Sequence, residues 1–224
     1  MSAILTVMTQ MSGQTTLPLF GQGFTLLAFT CARAPATTIA SFFENAIRRD
    51  YRGLWKFERA PLALPFPEPK PGGAHFPEIA IWRPSCHLDR CVITTNLQDG
   101  YCRFLAHYLS AVPVEFTTIR ATAPGEDSAV FEFSHHENGS KEHSRCVQAL
   151  RDDPKWEFYQ DGVPLPFENT RMYSARRVRD RLTAESIVSY LTALGYKAGN
   201  PAFWRSGEDA FYARQLAWPG RKCL

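Results

Sequence analysis

KWEFYQDGVPLPFENTRMYSARRVRDRLTAESIVSYLTALG, residues 155–195, joins a strand signal, a charge cluster and a well-ended helix in one piece. In residues 155–160, Trp156 and Phe158 alternate with Glu157 and Tyr159, the period-two pattern of a strand with one aromatic face. Asp161-Gly162 turns the chain. Pro164 and Pro166 cannot donate to a ladder, so residues 163–168 are an extended edge or a loop. Arg176, Arg177, Arg179 and Arg181 then crowd together, opposed locally by Asp180 alone, with Arg176 and Asp180 expected to pair at i,i+4. Thr183 is the expected N-cap of a helix that buries Ile187, Val188, Leu191 and Leu194, and Gly195 stands where a left-handed residue ends it.

Working outward, residues 144–150 and 155–160 form a hairpin across Asp152-Asp153-Pro154, and residues 114–122 and 128–135 form another around Pro124-Gly125. Asn96 is the expected cap of a helix in which Tyr101, Phe104, Leu105, Tyr108, Leu109 and Val112 recur at helical spacing. Strands are expected at 78–83 and 90–95. The proline-rich residues 61–77 are a long loop, with a boundary between two lobes as the alternative. Before them come a strand at 53–59, a helix capped by Thr37 or Thr38 and carrying Ile39, Phe42, Phe43, Ala46 and Ile47, and a buried strand at 23–31. Residues 23–83 and 90–135 thus share the order strand, helix, strand, strand. The expected fold is α+β: a mostly antiparallel sheet with packed helices, two β-α-β-β units and a C-terminal helical segment. Residues 1–20 are expected as a flexible arm and residues 21–224 as a single domain, with the aromatic residues 200–218 docked on its body.

With 45% hydrophobic and 21% charged residues the composition is that of an ordinary globular protein, and a net charge of +3 is too mild for a dedicated nucleic-acid binder unless concentrated on one face. The six cysteines lack CxxC spacing, which fits reduced thiols. The apolar run of residues 17–32 has no basic residue before it and nothing reaches the length of a membrane span, so the cytoplasm is the expected location and no membrane partner is expected.

Two polar clusters invite chemistry. His135, His136, Glu137, Glu142 and His143 gather around Asn138-Gly139; imidazoles with carboxylates are first-row metal ligands, which would support a metal-dependent hydrolase or nuclease. A polar hairpin tip collects such residues anyway. Cys86, His87, Asp89 and Cys91 form a second polar turn whose thiol spacing is wider than structural zinc sites use. No nucleophile elbow, phosphate loop or zincin motif is present, so no catalytic residue and no cofactor is assigned. The Arg176–Arg181 cluster next to alternating aromatics is also the pattern of a nucleic-acid face, with Glu157, Asp161, Glu168 and Asp180 near enough to neutralise it.

Gly162, the PLPFE of residues 164–168, Tyr173, Arg176-Arg177, Asp180-Arg181, Tyr190-Leu191 and Leu194-Gly195-Tyr196 resemble the C-terminal part of small cytoplasmic proteins found with bacterial toxin and type VI secretion loci, read as immunity proteins. The resemblance implies an α+β protein that binds and blocks one cognate protein toxin without catalysis. Trp156, Tyr159, Arg176, Arg177, Arg179, Arg181 and Trp204, of the types enriched at interface hot spots, are the expected partner-binding residues, and self-association into a homodimer is a further use of such a face.

Overall fold

The computed structural model describes residues 17–51, 53–64, 77–97, 102–137, 144–152 and 154–217. Among these residues nine strands form one sheet: β1 (Leu26–Ala32), β2 (Leu54–Ala60), β3 (Glu78–Trp82), β4 (Cys91–Thr95), β5 (Phe116–Thr122), β6 (Val130–His136), β7 (Ser144–Asp152), β8 (Lys155–Asp161) and β9 (Ala210–Ala217). Their order across the sheet is β2-β9-β3-β4-β1-β5-β6-β7-β8. Every neighbouring pair is antiparallel. Three described helices, α1 (Ala36–Asp50), α2 (Cys102–Leu109) and α3 (Ala184–Ala193), give an α+β architecture.

The central strands read as continuous apolar runs because both of their faces are covered. On one face Phe29, Trp82, Val92, Ile119, Phe133 and Val147 share a core with Ile187 and Leu191 of α3 and with Phe203 and Trp204 of a short 3-10 turn. On the other, Ile79, Ile81, Cys91, Ile93 and Phe116 pack with Ile39, Phe43 and Ile47 of α1 and Leu105 and Leu109 of α2. The alternation in β7, where Arg145, Val147 and Ala149 are buried and Cys146 and Gln148 are not, marks a strand covered on one face only.

α3 begins and ends as expected. The Thr183 hydroxyl accepts a bond from the Ser186 amide at 3.3 Å. At the far end Gly195 adopts φ +82°, its amide donates to the Thr192 carbonyl and the Tyr196 amide to the Leu191 carbonyl, the paired bonds of a Schellman ending. α1 instead starts at Ala36 with no side-chain cap: the preset φ of Pro35 starts the first turn, and its carbonyl takes the Thr38 and Ile39 amides. The Asn96 Oδ1 accepts the Glu78 amide and so secures the start of β3. Residues 98–101, where the helix after Asn96 was expected to begin, lie outside the described residues.

Three expectations are corrected. The two β-α-β-β units are not side by side, because β1 pairs with β4 on one side and β5 on the other. Residues 200–217 do join the body as expected, but the C-terminal segment is not helical throughout: residues 210–217 are strand β9, lying between β2 and β3. Its Arg214 bridges Glu58 of β2 and Glu78 of β3, an ionic tie across three strands. Finally, the arm expected over residues 1–20 gives way to the core by Leu17, since Leu17 and Leu19 are both buried; residues 1–16 lie outside the described residues.

Candidate functional site

A polar row runs across the buried, α3-side face of the sheet. The register places Cys31 beside Thr117, Thr117 beside His135 and His135 beside Arg145. The Thr117 hydroxyl and His135 Nδ1 are 2.9 Å apart, and burial pushes this imidazole down to about 4. At the end of the row Arg145 is almost wholly enclosed, and its guanidinium is fully engaged. Nε donates to Glu168 Oε1 at 2.9 Å, Nη2 to Glu168 Oε2 at 2.8 Å and to Gln160 Oε1 at 2.9 Å, and Nη1 to the carbonyls of Asp161 and Gly162 at 3.0 Å each.

Glu168 in turn accepts from the Leu165 amide at 2.9 Å and from the Tyr173 hydroxyl at 2.6 Å, and the Tyr173 and Tyr190 hydroxyls are 3.0 Å apart. Burial works against this carboxylate, but the Arg145 pair, the Leu165 amide and the Tyr173 hydroxyl together hold it below the usual glutamate range. Hydrogen bonds therefore run without a break from β7, through the 162–168 segment and the 3-10 turn Thr170–Ser174, to α3. The turn at Gly162 has no alternative: φ is +78° and a Cβ would stand 2.1 Å from the Ser144 carbonyl oxygen.

This clamp fixes a surface segment that is not α-helical. Arg171, Arg176, Arg177 and Arg179 are exposed on it. The expected Arg176–Asp180 pair is replaced by Arg177 Nε to Asp180 Oδ2 at 2.6 Å, because the backbone forms 3-10 turns whose neighbours are three apart. Arg179 stands 3.8 Å from the same carboxylate. Arg181 pairs with no acid among the described residues; it donates to the Ala175 carbonyl and lies over the Phe158 ring. Exposed Arg176 likewise makes no ion pair among the described residues.

The other expected partner-binding residues do not all share this surface. Trp156 is half-buried on the α3 side, its ring parallel to Phe131 at 6.4 Å. Tyr159, an odd number of residues along the same strand, is 55% exposed on the opposite face. Trp204 is a core residue: its indole N–H donates to the Ala198 carbonyl and its ring meets Phe29 edge-on at 5.0 Å.

The histidine cluster also divides. His135 and His136 are consecutive in β6 rather than in a hairpin tip, so they face opposite sides of the sheet and cannot share one ion. His136 stacks on Phe116 at 4.5 Å, and His143 lies outside the described residues. In the second polar turn Cys91 is buried in β4 and its thiol is pushed up to about 12 by desolvation. Among the described residues no group of three or more His, Cys, Asp or Glu is placed to hold a metal ion, and no helix is long and apolar enough to cross a membrane.

The Arg145–Glu168 pair escapes sequence reasoning because its members are 23 positions apart. The signal that could have found Arg145 is its register with Val147 and Ala149, which places an arginine on the apolar face of a strand. No protein-family model, curated protein or solved structure matches this chain.

Proposed function

We propose that the chain is a non-enzymatic protein-binding module, an immunity protein that neutralises a cognate bacterial toxin. The observation that carries the reading is the clamp: a segment bearing exposed Arg171, Arg176, Arg177 and Arg179 is held in one conformation by a buried ion pair that uses every donor group of Arg145. A loop ordered before its partner arrives loses less entropy on binding, and arginine is the cation most enriched at interface hot spots. The cations are unevenly committed. Asp180 neutralises Arg177 and part of Arg179; Arg171 and Arg176, which make no ion pair among the described residues, are left for an acidic patch on the partner.

The test is neutralisation. Co-expression with each toxin encoded beside the gene should restore growth with the wild-type chain, and Arg171→Glu/Arg176→Glu should abolish the rescue while leaving the thermal unfolding midpoint unchanged. Failure to neutralise any such toxin overturns the reading. Tight binding of a mixed-sequence oligonucleotide that weakens steeply with salt would favour a nucleic-acid face instead.

A further inference from the structure

A cleft on the opposite face of the sheet, between α1 and the β2-β9-β3 edge, has the build of a small-molecule site. It holds about 340 Å3. Small-molecule pockets begin at roughly this size and pair an apolar lining with a few polar groups that fix orientation. The space exists because Ala40 of α1 and Ala213 of β9 face it with methyl groups only, while Phe43, Phe57, Ile81 and Phe211 supply apolar walls.

The charged groups of the rim are not equivalent. Glu44 is taken by Arg48, which donates to it through Nε at 3.0 Å and Nη2 at 2.6 Å and lies over the Phe57 ring. Glu58, next to Arg59 along β2, turns its carboxylate to the other face of the sheet, where Lys56 and Arg214 take it. Arg59 has no acidic partner among the described residues; its guanidinium rests on the Phe211 ring, 4.0 Å from the centroid, which aims it and leaves its N–H edge unused. The cross-strand register Arg59 to Phe211 and Phe57 to Ala213 sets this cation next to the apolar wall.

We propose that this cleft binds an amphiphilic monocarboxylate, an acyl or aryl acid whose carboxylate pairs with Arg59 and whose apolar body lies along Phe57, Phe211 and Ile81. A planar guanidinium matches a carboxylate in bidentate fashion. A phosphate ester would call for more free cation than Arg59 supplies beside Glu44.

Calorimetric titration of the full chain with sodium octanoate, and with 1-octanol as the uncharged probe, tests the assignment. Octanoate saturates at one equivalent. Arg59→Met weakens it about tenfold or more, the loss of the charge-assisted hydrogen bonds, and leaves octanol affinity unchanged, while Arg59→Lys keeps part of the octanoate affinity. Ala40→Leu, which fills the cleft, weakens both probes together. Absence of saturable octanoate binding, an unchanged affinity in Arg59→Met or Ala40→Leu, or octanol binding as tightly as octanoate would each overturn the proposal. Circular dichroism of each variant confirms that the comparison is made on folded protein.

Discussion

Arg145 Nη2 and Glu168 Oε2 stand 2.8 Å apart with side chains 2% and 0% exposed, so two opposite charges meet where water does not reach. Such a pair is weak grounds for extra stability, because desolvation offsets its attraction, yet removing one partner strands the other. Glu168→Gln or Arg145→Met is expected to cost about 3–5 kcal/mol. The double variant Arg145→Met/Glu168→Leu should cost far less than the sum of the singles. Urea denaturation of all three gives the coupling, and additive costs would contradict the buried pairing.

Acid should unfold the protein early, through His135 as well as Glu168. The folded His135 titrates near 4 against an ordinary 6.5, so between these values the unfolded chain binds the extra proton and stability falls as pH is lowered. Glu168, depressed in the fold, adds a loss in the same direction at lower pH. His135→Asn, which keeps a polar atom facing Thr117, should flatten the upper part of this profile by about 2 kcal/mol. Unfolding midpoints measured from pH 7 to pH 4 decide it, and an equal slope in both proteins would count against the assignment.

Two glycines with positive φ separate strain from collision. At Gly125, φ +92°, a Cβ meets nothing within 4 Å; at Gly162 it strikes the Ser144 carbonyl. Gly125→Ala should cost about 1 kcal/mol, the price of the left-handed backbone. Gly162→Ala must also displace β7 or the clamp, and should lower the unfolding midpoint several degrees further. Equal midpoints would mean that the turn relaxes freely.

Thr183→Ala removes the hydroxyl that receives the Ser186 amide and should destabilise by about 1 kcal/mol. Thr183→Asp should restore most of that loss. Thermal melts of the two variants provide the comparison.

Elements specified by local pattern were legible in the sequence, and those specified by distant partners were not. The alternation in residues 155–160 and the Thr183 to Gly195 frame are written within a few residues, and both appear as read. β9 was missed because its pattern, AFYARQLA, carries Arg214 and Gln215 in what proves to be a strand between two others; only Glu58 and Glu78, from far upstream, make that arginine acceptable there. The arginine cluster was visible as composition. Which of its members stay uncommitted depended on 3-10 geometry that side-chain spacing alone does not specify.

β9 also constrains when the molecule can become itself. It lies between β2 and β3, yet it is the latest of the described strands to leave the ribosome. Until residue 217 has emerged, β2 has no described strand to pair with, and β3 shows β4 on one side and an open ladder on the other. The half of the sheet containing β5 to β8 is built from consecutive hairpins and can assemble as it is synthesised; the half that forms the cleft under α1 cannot. Closing contacts of such long sequence separation is slow. A nascent chain halted before residue 210 would therefore carry two raw edges side by side, and a chaperone that shields them during synthesis would raise the yield of native protein more than one acting on the finished chain.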